Sequence, residues 1–183
     1  MRKIFCSILI LSFLNGCQNA EPATYYLPKN FKGVFAIVYS QSQGSDTIIN
    51  GRHQFYIPEN GILLIKTKFS AGWRDDIFLR TSNKGYDTLK MYIPNKDTTG
   101  MEFDETYYKN YTNDSNEVAI NNRQIVNPTF NKFDTSGNKI GSCSFQYELI
   151  TIGKSSTLED SAGKVFIAPL DEYLQDKFCG EKQ

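Results

Sequence analysis

Gln54-Phe55-Tyr56-Ile57-Pro58-Glu59-Asn60-Gly61-Ile62-Leu63-Leu64-Ile65-Lys66-Thr67 is the most legible run in the chain. Its two apolar halves are short and rich in aromatic and β-branched residues, which favour a pleated, half-buried surface. Between them, Pro58 presets one backbone angle, and Asn60-Gly61 tolerates positive φ. The run therefore predicts two strands joined by a tight turn, a β-hairpin.

The same grammar extends to both sides. Upstream, Tyr25-Tyr26-Leu27 stops at Pro28, and Val34 to Tyr39 is a strand candidate after Phe31-Lys32-Gly33. Ser40 to Asp46 is a loop by composition, and Asn50-Gly51 is a strong turn dipeptide. Downstream, Asp76 to Leu79, Leu89 to Ile93, Val118 to Ile125 and Thr129 to Phe133 are short strand candidates, and Glu102 to Asn116 has no clear period. Asp134 to Asn138 is a hairpin turn. Lys139 to Ile152 alternates, with Cys143, Phe145, Tyr147 and Leu149 on one face and Ser144, Gln146, Glu148 and Ile150 on the other, so it predicts one long half-buried strand. Val165 to Ala168 is another strand, ended by Pro169. Leu170, Tyr173, Leu174 and Phe178 then recur at helical intervals before Gly180, predicting a short C-terminal helix over Asp171 to Phe178.

Many short strands with close-set turns and little helical pattern predict a mostly β chain, an antiparallel β-sandwich with a short C-terminal helix. Tyr-Leu/Ile-Pro occurs at Tyr26-Leu27-Pro28, Tyr56-Ile57-Pro58 and Tyr92-Ile93-Pro94. A duplicated unit would produce this. So would the habit of ending a strand on proline, which cannot donate to a ladder.

The first residues read differently. Arg2 and Lys3 precede an apolar run from Ile4 to Leu14, too short to cross a bilayer, which reads as a secretory signal. It ends in Leu14-Asn15-Gly16-Cys17, which resembles the lipobox of bacterial lipoproteins. The resemblance implies cleavage after residue 16, lipid on Cys17, a short polar tether over 17–23 and one domain over 24–183. Gln rather than Asp at position 18 implies, by the sorting behaviour of diderm lipoproteins, an outer-membrane destination. Of 183 residues, 167 would then remain, enough for a single domain with a real core. They carry 18 basic and 20 acidic residues, with no basic stripe of the kind nucleic acid requires. Membrane attachment is expected only through the lipid. Cys6 leaves with the leader, so Cys143 and Cys179 form an even pair in an exported chain, where oxidation to a disulfide is favoured over two buried thiols.

Tyr26-Leu27-Pro28, Phe31-x-Gly33-Val34-x-x-Ile37-x-Tyr39 and Tyr56-Ile57-Pro58-x-x-Gly61-Ile62-Leu63 together resemble a family of small bacterial lipoproteins defined only as a domain of unknown function. The pattern covers about Tyr25 to Thr67. The arrangement is also similar, in architecture, to β-sandwiches of the transthyretin and carboxypeptidase-regulatory type. Neither resemblance lends catalytic residues, and a fold alone does not supply a function.

The chemistry-bearing residues narrow the choice. His53 is the sole histidine, and no Gly-x-Ser-x-Gly surrounds any serine, so triad catalysis has no evident base or elbow. His53 is expected as an exposed imidazole near the Asn50-Gly51 turn, with a pH-switch role as the other reading. One His with Cys143 and Cys179 lacks zinc-ligand spacing. The glycines are scattered turn residues rather than a phosphate loop. Asp134-x-Ser136-Gly137-Asn138 lacks the downstream acid of a calcium loop. No cofactor or metal is expected.

Asp75-Asp76 beside Trp73, and Asp104-Glu105, are the carboxylate pairs from which a sugar-cleaving acid and base could come. If Asp75 and Asp76 lie in extended chain, they point to opposite sides and do not share a site. Tyr107, Tyr108 and Tyr111 cluster among amides, where rings could stack a sugar, anchor a protein or fold back as core. Asp-Thr/Ser followed by a small or apolar residue, at Thr47, Thr88, Thr98 and Ser161, is similar to an O-glycosylation signal of one group of diderm bacteria. The reading is a lipid-anchored envelope protein that binds a protein or glycan without catalysis. The alternative is a carboxylate hydrolase acting on glycans. A cleft holding two free carboxyls favours the enzyme, and a flat aromatic patch favours binding.

Overall fold

The computed structural model describes residues 20–72, 75–93, 110–154 and 169–179. Cys17, Trp73, Thr98, Asp104, Glu105, Tyr107, Tyr108, Ser161 and the Val165 to Ala168 strand lie outside these residues. The described chain is mostly β. Its strands are β1 (Ala23–Leu27), β2 (Gly33–Val38), β3 (Thr47–Ile49), β4 (Arg52–Tyr56), β5 (Ile62–Leu64), β6 (Ile77–Ser82), β7 (Gly85–Thr88), β8 (Met91–Tyr92), β9 (Tyr111–Thr112), β10 (Ala119–Val126), β11 (Thr129–Phe133), β12 (Lys139–Ser144) and β13 (Tyr147–Gly153). A short helix, α1 (169–174), runs into a π-helical turn, Gln175–Cys179.

One sheet has the order β3-β4-β1-β6-β7 and the other β5-β2-β13-β10-β8-β9, while β11 and β12 form a separate two-stranded ribbon. Alternation supplies the core between the sheets. Tyr25, Leu27, Phe55 and Phe78 from the first sheet meet Phe35, Ile37, Leu63, Ile150 and Ile152 from the second in one buried cluster. Tyr25 lies stacked on Phe78, ring centroids 4.6 Å apart. The second sheet is covered on its other face as well. Val34, Ala36, Val38, Tyr147 and Leu149 pack against Leu170 and Leu174 of α1. Hence β13, with α1 on one side and the sandwich core on the other, is buried along almost its whole length.

Three expectations change. The sandwich is mixed rather than antiparallel: β1 pairs parallel with both β4 and β6, and β2 pairs parallel with β5. The hairpin over 54–65 does not form. Both edges of β4 are taken, by β3 and β1, so β5 has no place beside it and pairs with β2 in the opposite sheet. The Pro58-Gly61 turn closes as expected, with the Gly61 amide donating to the Pro58 carbonyl at 2.9 Å, but it carries the chain across the core. The link from β1 to β2 crosses in the same way, its Phe31 amide donating to Pro28 at 3.2 Å, so the two crossings are stacked arches with Tyr26 paired to Tyr56. Tyr92 of the third Tyr-Ile-Pro lies on β8, in the other sheet. Finally, the run from Lys139 to Ile152 is two strands. Phe145 and Gln146 interrupt it, β12 pairs with β11, and β13 enters the second sheet between β2 and β10.

Gly44 is needed where the loop before β3 touches Ile65. A Cβ there would lie 2.5 Å from Ile65 backbone atoms, and the Ser45 amide donates to the Leu64 carbonyl at 2.9 Å just beyond.

Candidate functional site

The outer face of the first sheet is not covered by a second layer among the described residues. Side chains alternate along a strand, so the inward Tyr25 and Phe55 put Tyr26 and Tyr56 outside. Parallel pairing sets those two opposite each other, and their rings stack with centroids 4.6 Å apart and planes 11° from parallel. Tyr86 of β7 meets Tyr26 edge-on at 5.3 Å. Tyr56 is 60% exposed and Tyr86 54%, while Tyr26 between them is half-buried. The Tyr26 hydroxyl donates to Gln54 Oε1 at 2.9 Å, and Gln54 Nε2 donates to the Arg52 carbonyl, which fixes the amide. Burial first, then the neighbouring phenols of Tyr56 and Tyr86, raises the Tyr26 pKa, so it stays a neutral hydrogen-bonding group. At one end of this face Lys29 Nζ donates to Asn83 Oδ1 at 2.6 Å. At the other, Arg52 holds Asp75 Oδ2 at 2.7 Å. The result is a rigid aromatic ridge with polar groups at both ends.

Asp75 and Asp76 turn to opposite sides. Asp75 is exposed and engaged by Arg52, which bonds both its carboxylate and its carbonyl. The Asp76 side chain is 2% exposed, and its Oδ1 accepts from the Ala23 amide at 3.0 Å. Its Oδ2 meets Arg123 Nη2 at 3.1 Å. The same guanidinium holds Glu148, whose Oε1 is 2.7 Å from Arg123 Nε and whose Oε2 accepts from the Tyr39 hydroxyl at 2.8 Å. Arg123 also lies over the Phe78 ring at 5.5 Å. This chain of contacts joins the two sheets. Both carboxylates are committed to one cation, so neither is placed as a free acid or base.

Tyr111 is half-buried on β9, at the edge of the other sheet from the tyrosine face. Thr47 and Thr88 are exposed on the edge strands β3 and β7. Asp134 closes its turn: Oδ1 accepts from the Ser136 and Asn138 amides, and contacts with Asn138 hold its pKa below the usual value. Among the described residues, no group of three or more His, Cys, Asp or Glu side chains is placed to hold a metal. The Cys143 and Cys179 Cα atoms are 5.9 Å apart, at disulfide distance.

His53 departs from expectation. It is 4% exposed rather than open to solvent, because β4 is an inner strand and residue 53 faces the core side next to Phe55. With Tyr25, Tyr39, Ile65, Thr67, Lys68 and Ser70 it lines a cavity of about 270 Å³, and Ala20 and Glu21 line it too.

The ridge tyrosines were not singled out by composition. Their signal lay in the recurring Tyr-Leu/Ile-Pro, which marks Tyr26 and Tyr56 in register but not their exposure.

No protein-family model matches the chain, and no curated protein matches it. A crystal structure described as a candidate lipoprotein from Bacillus anthracis is similar at 12% identity and a TM-score of 0.48, over 88% of this chain and 99% of that one.

Proposed function

We propose that this is an exported lipoprotein, anchored by lipid on Cys17 and sorted to the outer membrane, whose β-sandwich binds a glycan on the Tyr26-Tyr56-Tyr86 ridge. The lipobox supports the anchor and Gln18 the destination. One observation supports the binding: the Tyr56 ring is open, yet held in place by stacking on Tyr26. A sugar presents an apolar face that stacks on such a ring, and its hydroxyls suit the Arg52, Asp75, Lys29 and Asn83 groups at the ends. A ring already fixed by a neighbour loses little freedom on binding. The ridge stands above the sheet rather than lining a cleft, which suits an extended chain of sugars. Glycan cleavage is the weaker reading, because Arg123 occupies both buried carboxylates.

The test is titration of the purified protein with peptidoglycan fragments and soluble oligosaccharides, read by calorimetry and by the Tyr56 ring resonances. Tyr56→Ala is expected to weaken binding about tenfold, equivalent to about 1.4 kcal/mol. Undisturbed Tyr56 resonances with every sugar, alongside capture of a defined envelope protein on the same face, would move the reading to a protein partner.

A further inference from the structure

We propose that the cavity beside His53 binds a small aromatic carboxylate, a molecule of one or two rings bearing an acid group. The cavity lies on the core side of the first sheet and the tyrosine ridge on its outer side, so this site goes beyond the glycan reading and does not depend on it.

The walls argue for a ring. Ala23, Tyr25, His53 and Phe55 come from β1 and β4, while Tyr39 and Ile65 follow directly on β2 and β5 in the opposite sheet, and all six are buried. Parallel pairing sets Ala23 opposite His53, so a single methyl stands where a larger side chain would fill the space. The rings are held before any ligand arrives. Phe55 stacks on the imidazole, centroids 5.4 Å apart and planes 9° from parallel. Tyr25 lies stacked on Phe78, and the Tyr39 hydroxyl donates to Glu148 Oε2 at 2.8 Å. Aromatic walls favour a flat aromatic body, and walls already in place lose little freedom on binding. The volume, about 270 Å³, sets the size. It exceeds the roughly 150 Å³ of an apolar cavity that takes up benzene. It falls below the range of about 300–1,000 Å³ usual for drug-sized ligands, which leaves one or two rings.

The mouth argues for an acid. Glu21, Thr67, Lys68 and Ser70 line the cavity and are wholly or partly exposed. The two carboxylates nearby are turned to the imidazole, Glu21 Oε2 at 2.7 Å from Nε2 and Asp46 Oδ1 at 3.3 Å from Nδ1. Thr67 Oγ1 donates to the same Asp46 oxygen at 3.4 Å. The Lys68 and Ser70 side chains have no hydrogen bond or ion pair among the described residues. Lys68 is therefore the one charge at the mouth left without a partner among them, and Ser70 adds a hydroxyl donor. A carboxylate accepts from both, whereas a cationic ligand would meet the ammonium's repulsion.

Titration of the purified protein with indole-3-acetate, indole, phenyltrimethylammonium and octanoate, read by calorimetry and saturation-transfer NMR, tests this. Indole-3-acetate is expected to bind most tightly of the four. Lys68→Met should weaken it about fivefold, the size of an exposed ion pair, and leave indole unchanged. Ala23→Leu, which fills the cavity, should abolish binding of both. Tyr56→Ala, on the ridge, should change neither, so this site and the glycan reading can fail separately. Absence of indole-3-acetate binding overturns the proposal, as does equal or tighter binding of any of the other three probes. Loss of binding in Tyr56→Ala overturns it too, by moving the ring to the ridge. So does an affinity for indole-3-acetate that Lys68→Met leaves unchanged, a result that decides the matter should Ala23→Leu fail to fold.

Discussion

Arg123 carries more structural responsibility than any other charged residue among those described. It neutralises two buried carboxylates, Asp76 and Glu148, from opposite sheets. Removing it leaves both without their shared cation. Arg123→Leu is expected to destabilise the fold by about 3–5 kcal/mol, measured by urea unfolding. The companion variant Glu148→Gln, which keeps the shape and removes one charge, should cost less. Tyr147 offers a pH test. Its buried hydroxyl donates to Asp171 Oδ1 at 2.9 Å, and burial first, then that bond and charge, raise its pKa above the usual value. The folded state thus favours the neutral phenol. The resulting stability is present in full below the unfolded tyrosine pKa of about 10 and is lost as pH rises beyond it. Thermal melts should show a fall in Tm above that pH that is smaller in Tyr147→Phe.

Elements show where reading a sequence by period stops. Alternation placed Tyr147 and Leu149 on a different face from Ile150, and the structure agrees. Period two states which side a residue faces, not which strand lies beside it. The Pro58-Gly61 turn is the case in point: its chemistry suits a hairpin and an arch equally, and only the saturation of β4 by β1 and β3 excludes the hairpin. The exposed His53 failed for the same reason, since β3 and the preceding loop lie against β4. Two element-level outcomes follow. Gly44→Ala should lift the loop from Ile65, costing roughly 1–3 kcal/mol by chemical unfolding. A bridge between Cys143 and Cys179, 36 residues apart, would tie the β11-β12 ribbon to the end of the C-terminal helix, beside the Phe130, Phe145 and Phe178 rings. Reduction, or Cys179→Ala, should then lower stability by roughly 3–4 kcal/mol. Two free thiols in the denatured, unreduced protein would exclude the bridge.

At the scale of the molecule, the layer order explains why one face is left uncovered among the described residues. The second sheet is buried between the first sheet and α1, whereas the first sheet keeps its tyrosine face outward. On the anchoring proposal, Cys17→Ser should abolish fatty-acid labelling and shift the protein from the membrane to the soluble fraction. Labelling that persists would exclude that site. The sequence by itself determined the strand-rich class, most strand positions, the turn chemistry and the C-terminal helix, because propensity, period and turn residues act over a few neighbours. Tertiary structure alone decided that these two rings stack, that Asp76 and Glu148 share Arg123 across the core, and that His53 lies between Glu21 and Asp46. Each of those contacts joins residues 25 or more positions apart on one side at least, and strand order, which no local pattern encodes, brings them together.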